Sequence, residues 1–207
     1  DFIDRIPFYG LAVLCLDNDS IQDLIPNIKK RYITYGMSSQ ADFQIRDVAF
    51  EKRRSRFSVY RQGRMLGRFS LNLPGIHNVY NATASIATGV ELDIPVAAIQ
   101  SALQTLEGVQ RRLEIKGEVN GITVVDDYGH HPTQITATLK TAKECWPERR
   151  LIVVFQPHRY TRTEALFDRF VISFNEADVL IVSPIYSAGE IAIDGVTAEW
   201  LSGGIKE

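Results

Sequence analysis

The sequence predicts an α/β protein made of two parts that differ in how their strands are arranged. In the first part, alternating apolar and polar residues between positions 42 and 71 predict antiparallel strands, and helical patterns follow them. In the second part, short apolar stretches alternate with helical patterns from position 122 onward, which predicts a parallel sheet with crossover helices. A chain of 207 residues with 45% hydrophobic residues suits one or two globular domains.

The first part opens with short apolar stretches that predict buried strands, and Ser20 is expected to cap the helix between them. Gln62-Gly63 predicts a turn between two alternating stretches, and Pro74-Gly75 separates the strands from the helices. In order, the expected elements are a strand at 11–16, a helix at 20–28, a strand at 31–35, antiparallel strands within 42–71, an alanine-rich helix from Asn78 to 92 and a helix from Pro95 to 106.

Residues 107–112 interrupt this pattern and are the predicted boundary between a domain at 1–110 and a domain at 111–207. Beyond them, Asn120-Gly121 lies between two apolar stretches and predicts a β-hairpin turn. The elements expected after the hairpin are a helix at 132–145, a strand at 151–155, a helix at 163–175, a strand at 179–183 and a helix near position 196.

Composition argues against several classes of partner. The formal net charge of −2 provides no basic field for nucleic acid. No apolar stretch approaches the roughly 18 residues of a membrane span, and no signal peptide is visible. Two isolated cysteines favour the cytoplasm. The chain begins at Asp1 and ends within a helical pattern, so we expect it to be part of a longer protein, and its oligomeric state is left open.

A cationic cluster follows the predicted strand at 151–155, where His158, Arg159 and Arg162 come in quick succession. Ligands of open α/β sheets bind beyond the carboxyl ends of the strands, and the planar guanidinium fork of arginine suits carboxylates and phosphates. The cluster therefore predicts an anion-binding site. The alternative is a solvated basic loop that precedes a helix.

A second polar cluster follows the strand that ends near Val125, and the two loops are expected to face one crevice. Its side chains can bind a ligand, or they can cap the helix that begins at Pro132. Metal binding is the weakest alternative, because adjacent histidines project in different directions and the ligand spacing is unclear. The residues of this cluster are Asp126, Asp127, Tyr128, His130 and His131.

A third cluster lies at the start of the alanine-rich helix, where Asn78 and Asn81 share one helix face beside His77. Amides both donate and accept hydrogen bonds, which suits the edge of a purine base, although these residues alone favour a helix cap followed by a buried polar residue. Arg111 and Arg112 can contact phosphates or pair with surface carboxylates. The sequence contains neither the GxxxxGK(S/T) phosphate loop nor the GxGxxG dinucleotide motif.

Taken together, the motifs resemble those of the Mur ligases in order and spacing over essentially the whole chain. Two shorter motifs, IPFYG at 6–10 and IYSAGE at 185–190, extend the resemblance to both ends. Leu113 and Gln134 depart from the family pattern, which has Phe and Glu there. The four main motifs are LPGIHNVYNA at 73–82, GVQRR at 108–112, DDYGHHPT at 126–133 and FQPHRYTRT at 155–163.

The resemblance implies the end of a central ATPase domain with antiparallel strands and helices, followed by a Rossmann-like C-terminal domain with a mostly parallel sheet. It implies ATP-dependent attachment of L-alanine to the carboxylate of UDP-N-acetylmuramate through an acyl phosphate, in peptidoglycan synthesis, with Mg²⁺ as a cofactor. In the family, the phosphate loop and the magnesium ligands lie upstream of the region that begins at Asp1 in this chain. We therefore expect these 207 residues alone to be inactive.

The resemblance also implies roles for individual residues, and it assigns no residue of this chain as a metal ligand. Two alternatives stay open: a ligase that recycles a ready-made tripeptide, whose corresponding loop lacks the His-Arg-Tyr-Thr-Arg run, and a nucleotide- or anion-binding module without catalysis. The implied contacts are His77, Asn78 and Asn81 with adenine, Asp127 with ribose, Arg112 with the ATP phosphates, Tyr128, His130 and His131 with the muramoyl substrate, and His158, Arg159 and Arg162 with the amino-acid carboxylate and acyl phosphate, the last three and His130 being catalytic.

Overall fold

A computed structural model describes residues 3–51, 54–106, 108 and 110–206. The chain forms two compact units, residues 1–108 and 109–207. Positions 107 and 109, which belong to the predicted boundary, lie outside the described residues. No helix in the described part of the chain is long and apolar enough to cross a membrane.

The first unit contains a five-stranded mixed sheet in which the strands follow their order in the chain. The first three strands are parallel and the last three antiparallel. The predicted antiparallel strands are therefore confirmed, whereas the parallel pairing at one side of the sheet was not predicted. The strands are β1 (Ala12–Cys15), β2 (Tyr32–Gly36), β3 (Phe43–Glu51), β4 (Arg54–Arg61) and β5 (Arg64–Leu71).

In the described part of this unit, three α-helices accompany the sheet, namely α1 (Asp19–Leu24), α2 (Ile76–Glu91) and α3 (Val96–Thr105). The prediction that Ser20 caps the first helix is wrong: Asn18 has extended backbone angles, and its Oδ1 accepts a hydrogen bond from Ile21 N at 3.1 Å. Helix α2 begins two residues earlier than predicted because Gly75, with φ of +92°, ends the preceding loop.

The core of the first unit lies between the sheet and helices α2 and α3. Alternate residues of the central strands face these helices, which is the period of two that the sequence showed. Burying each large apolar side chain contributes roughly 1.5–3 kcal/mol. The buried side chains include Phe43, Ile45, Phe57, Val59, Phe69, Leu71, Val79, Ile86, Ile99 and Leu103.

The carboxylate of Asp17 connects three segments of this unit. It follows β1 and accepts hydrogen bonds from the backbone N–H groups of Met37 (2.5 Å) and Ser38 (3.0 Å) beyond β2. The Tyr80 hydroxyl of α2 donates to the same carboxylate at 2.6 Å. Burial and the Asp17 carboxylate together raise the pKa of Tyr80 far above its usual range, so the phenol stays protonated and remains a donor.

The second unit contains a β-hairpin and a separate pair of parallel strands. Asn120 and Gly121 both have positive φ, at +51° and +77°, so the predicted hairpin turn is confirmed. The elements are β6 (Glu114–Val119), β7 (Ile122–Asp126), α4 (Pro132–Cys145), β8 (Ile152–Phe155), α5 (Tyr160–Ala165), α6 (Phe167–Val171), β9 (Val179–Val182) and α7 (Ala198–Lys206).

The predicted helix at 163–175 is wrong in both its start and its continuity. Helix α5 begins at Tyr160, and Leu166, at φ −116° and ψ 19°, separates it from α6. The apolar residues nevertheless face the core, because Phe155 of β8 packs against Phe170 and Phe174 at ring-centroid distances of 5.7 and 5.1 Å. The periodicity predicted the buried face, and the break is a local backbone feature that periodicity does not record.

We predict that Asp17→Asn and Tyr80→Phe each lower the free energy of unfolding of the 207-residue chain by about 1–2 kcal/mol, because each removes a hydrogen bond with a charged acceptor. In the double variant the loss should fall short of the sum by about 1 kcal/mol, since both changes break one shared contact. Urea unfolding measures all three values. Asp23→Asn, on the exposed side of α1, is the control, and strict additivity of the two losses would contradict the coupling.

Candidate functional site

The loops that follow β8 and β9 are joined by backbone hydrogen bonds beyond the strands themselves. Tyr186 N donates to Pro157 O at 2.8 Å, and Arg159 N donates to Tyr186 O at 2.8 Å. These two bonds pair His158 with Tyr186 in a parallel β-bridge. The carboxyl ends of the two strands therefore present a fixed edge, which is where open α/β sheets bind ligands.

Four aromatic rings form a continuous row at this edge, and we call Tyr128, His130, His158 and Tyr186 the aromatic row. Successive ring centroids are 5.2, 6.2 and 5.2 Å apart. The middle distance joins the loop after β7 to the loop after β8, so the two loops that were predicted to share a crevice lie next to each other. Tyr128 and Tyr186, at the two ends of the row, are 48% and 54% exposed and thus accessible to a ligand.

Local hydrogen bonds fix the loop that carries Tyr128 and His130. Nδ1 of His130 lies 2.9 Å from the carbonyl oxygen of Tyr128. The side-chain oxygen of Gln134 accepts from the backbone N–H groups of His130 (3.2 Å) and His131 (3.3 Å), and His131 is the N-cap residue of helix α4. The departure from the family pattern at Gln134 thus keeps an acceptor where a carboxylate is expected.

Asp127 has a structural role in the same loop. One carboxylate oxygen accepts from Gly129 N at 2.7 Å and the other from Leu113 N at 2.9 Å. The first contact closes a tight turn, and the second connects it to the segment before β6. A carboxylate has further lone pairs, so these contacts leave acceptor capacity on Asp127.

Arg111 and Arg112 are both exposed, and Arg111 also contacts the aromatic row. The Arg111 guanidinium carbon lies 4.7 Å from the centroid of the Tyr128 ring, and its Nε donates to Asp126 at 3.3 Å. The Arg111 backbone has φ of +58°, and its N–H donates to Glu114 at 2.8 Å. A cation over an exposed aromatic face contributes about 0.5–1 kcal/mol, so this contact orients Tyr128 more than it stabilises the fold.

Arg159 has φ of +74° and ψ of 134°, a backbone conformation that residues other than glycine rarely adopt. Such a conformation costs about 1–3 kcal/mol and persists only where surrounding contacts impose it. Here Thr163 supplies two of those contacts, because its N–H (3.2 Å) and its Oγ1 (2.8 Å) both donate to the Arg159 carbonyl. Strain of this kind often occurs at functional sites.

The two arginines of the loop are held differently. Nη1 of Arg162 donates to the carbonyl oxygen of His158 at 3.3 Å. Nη1 of Arg159 lies 3.8 Å from a carboxylate oxygen of Glu190, and half of the Arg159 side chain is exposed. Both guanidiniums keep donors that these contacts do not use, so the loop can bind an anion.

His158 lies among these charges. Its Nδ1 is buried and has no hydrogen-bond partner among the described residues. Desolvation lowers the pKa of His158 below its usual range, and the positive charges of Arg162 and Arg159 lower it further, while Glu190 opposes them. The imidazole is consequently neutral at neutral pH and can accept a proton.

The cluster at 77–81 lies in the first unit, on the first turns of α2. Nδ2 of Asn78 donates to Pro74 O at 2.7 Å, so this amide fastens the preceding loop. His77 and Asn81 are four residues apart and therefore lie on the same helix face, with Asn81 exposed. The helix brings the three predicted residues together, and Asn78 combines the structural role with any ligand contact.

Comparison with known proteins identifies both units. The model of the Mur ligase middle domain matches residues 1–89, and the model named Mur ligase, glutamate ligase domain matches residues 111–206. The chain belongs to the Mur ligase family. The predicted α/β fold class is confirmed, and the observed mixed sheet in one unit and parallel strands in the other agree with the fold of this family.

Curated relatives of this Mur ligase chain are named UDP-N-acetylmuramate–L-alanine ligase. The protein from Desulfatibacillum aliphaticivorans is 57% identical over 205 residues, and that from Geobacter sulfurreducens is 53% identical over 207 residues. These matches cover 99% and 100% of the chain but 45% of each relative, so the chain spans about half the length of the curated relatives it matches.

Solved structures give the same family. The UDP-N-acetylmuramate–alanine ligase of Thermotoga maritima has a TM-score of 0.72 at 26% identity, over 94% of this chain and 40% of that protein. The murein peptide ligase of Psychrobacter arcticus has a TM-score of 0.67 at 26% identity, over 99% of this chain and 41% of that protein.

Two residues of this region, Tyr186 and Glu190, were not among the predicted site residues, and Arg111 pairs with the carboxylate of Asp126, one of its two predicted roles. Tyr186 and Glu190 belong to the motif at 185–190, which directly follows β9. The rule that pointed to His158, a polar loop after a parallel strand, applies to this loop as well. Among the described residues, no group of three or more His, Cys, Asp or Glu side chains is placed to hold a metal ion.

We predict that Arg159→Gly gives a more stable 207-residue chain than Arg159→Ala, by about 1 kcal/mol. Both variants lose the guanidinium, but only glycine adopts φ of +74° without strain, so the difference isolates the backbone term. Urea unfolding of both proteins measures it. Equal stabilities, or a more stable alanine variant, would show that the residue is unstrained.

We also predict that His158 titrates below about 6.5, the value of an unperturbed histidine. The pKa should rise in Arg162→Gln, because a positive charge next to the imidazole is removed. Since the folded chain binds this proton less readily than the unfolded chain, its stability falls as pH falls from about 6.5 through the folded pKa. NMR titration of the imidazole, assigned with His158→Gln, measures the pKa.

For this titration Arg169→Gln, on the exposed side of α6, is the matched control and should leave the value unchanged. A wild-type pKa at or above about 6.5 would contradict the environment described for the ring.

Proposed function

We propose that the full-length protein that carries this chain joins L-alanine to the carboxylate of UDP-N-acetylmuramate in an ATP-dependent reaction of peptidoglycan synthesis. The observation that carries the proposal is the meeting of His130 and His158, because it brings a cationic loop and a histidine loop to one edge. The names of relatives that are 53–57% identical to this chain support the choice of substrates.

The chemistry requires an anion site of this kind. ATP phosphorylates the muramoyl carboxylate, the amine of alanine attacks the resulting acyl phosphate, and phosphate leaves from a tetrahedral intermediate. The carboxylate, the acyl phosphate and the tetrahedral intermediate all carry negative charge. Guanidiniums in fixed positions stabilise this charge as the reaction proceeds. Arg159 and Arg162 are assigned to the amino-acid carboxylate and the acyl phosphate.

The histidines and tyrosines have the complementary role. An attacking amine must lose a proton, and His158 is neutral near pH 7 and can accept one. Tyr128, His130 and His131 are assigned to the side of the cleft that faces the muramoyl group, where the aromatic row gives an apolar wall.

The ATP contacts are assigned to residues of both units. His77, Asn78 and Asn81 suit the adenine ring, Asp127 the ribose hydroxyls and Arg112 the phosphates. Magnesium, when bound, would neutralise part of the charge of the phosphates. No described group of side chains fits a magnesium ligand set, so none is assigned to it. We place the reaction in the cytoplasm, where ATP is available.

The second candidate is the recycling ligase that attaches a ready-made tripeptide to the same sugar. The observation that favours it is the fold similarity to the Psychrobacter arcticus murein peptide ligase, whose TM-score of 0.67 is close to the 0.72 of the alanine ligase. Sequence favours L-alanine instead, because the curated relatives compared above share more than half of their aligned residues and carry that name.

We predict that the full-length protein releases phosphate from ATP only with UDP-N-acetylmuramate and L-alanine present, and that the tripeptide does not replace alanine. Arg159→Ala should raise the KM for L-alanine because the carboxylate loses its partner, and the factor corresponds to about 2 kcal/mol or more if bound alanine desolvates the pair. Steady-state kinetics with each amino substrate measures both effects.

The matched control is Arg169→Ala, which removes an exposed arginine of α6 and should leave the KM for alanine unchanged. Turnover with the tripeptide in place of alanine would select the recycling ligase. Binding without turnover under any combination would select a non-catalytic module.

A further inference from the structure

Glu190 lies at the end of a tight turn that directs it back toward the loop after β8. Ala188 and Gly189 both have positive φ, at +52° and +85°, and Glu190 N donates to Ser187 O at 3.0 Å. Two successive residues with positive φ reverse the chain within four residues. The turn therefore fixes the position from which the Glu190 side chain reaches its neighbours.

The Glu190 carboxylate binds the first turn of α5 from 29 residues away. One oxygen accepts from Thr161 N at 3.1 Å, and the other accepts from Thr161 Oγ1 at 2.8 Å. The residue that precedes α5 is Arg159, whose side chain has no acceptor and makes no capping hydrogen bond. Glu190 thus supplies the acceptor that a capping Ser, Thr, Asp or Asn would otherwise provide.

The same carboxylate contacts the Arg159 guanidinium, but at 3.8 Å and through only one nitrogen. The Glu190 side chain is 20% exposed, whereas the Arg159 side chain is 50% exposed. One side of the guanidinium therefore faces Glu190, and its remaining donors stay available. The arrangement orients the cation without saturating it.

We propose that Glu190 is a positioning residue that holds Arg159 and the start of α5 in the geometry that binds the carboxylate of the amino-acid substrate. This inference rests on the proposed function. Two independent contacts support it, the cap on Thr161 and the ion pair with Arg159, and both act on the loop whose backbone is strained at Arg159.

The Glu190 carboxylate keeps its negative charge around neutral pH. The hydrogen bond from the Thr161 hydroxyl lowers the pKa of Glu190 below its usual range, with smaller contributions from the Thr161 N–H and Arg159. The groups that face it from other elements are Arg159 and His158, and neither is a second acid. The carboxylate is consequently ionised throughout the range in which a ligase would be assayed.

The test is Glu190→Gln in the full-length protein. We expect the KM for L-alanine to rise at least tenfold, while the KM values for ATP and UDP-N-acetylmuramate stay within about twofold, because only the amino-acid anchor is misplaced. Thr161→Val should change the alanine KM in the same direction by a smaller factor. The double variant should resemble Glu190→Gln alone, since both changes remove one shared contact.

Glu164→Gln is the matched control, because it removes an exposed carboxylate of the same helix and should leave every KM unchanged. If wild type is active and Glu190→Gln does not change the alanine KM, the positioning role is wrong. If all three KM values rise together with a loss of thermal stability, Glu190 is merely structural and the inference is again wrong. If wild type lacks alanine-dependent phosphate release, the proposed function itself fails.

Discussion

The pairing of His158 with Tyr186 is the interaction on which the functional edge of the second unit depends. Two backbone hydrogen bonds of 2.8 Å extend the parallel pairing of β8 and β9 into their loops. Without them, each loop would be free to move away from the strand ends, and the aromatic row would lose two of its four rings. A site built on strand ends keeps its geometry because the backbone, rather than long side chains, supports it.

Opposite charges are balanced closely at this edge. Arg159 and Arg162 attract anions, while Glu190 limits the positive charge and orients one of the two guanidiniums. His158 stays neutral because desolvation lowers its pKa, and because protonation would add a third positive charge beside Arg162 and Arg159. The loop can therefore hold an anion and still present an uncharged imidazole, which a cluster of three permanent cations could not do.

Sequence patterns predicted most of the architecture and only part of the site. The hairpin at Asn120-Gly121, helix α4 and strands β8 and β9 have strong local signals, so they were found near their true bounds. The cap by Asn18 and the early start of α5 were missed. In the second case the reason is physical: the acceptor for the first turn comes from Glu190, 29 residues later, and no local pattern records a contact over that distance.

The strained backbone at Arg159 sets stability against ligand binding at one position of this chain. A glycine at that position would relieve the strain, so selection for stability alone would favour losing the guanidinium. This chain nevertheless has an arginine in that unfavourable conformation. Laboratory selection for heat resistance should therefore replace it early. Stability and ligand recognition thus compete at a single residue, and a consensus-based stabilisation of this protein should leave that position untouched.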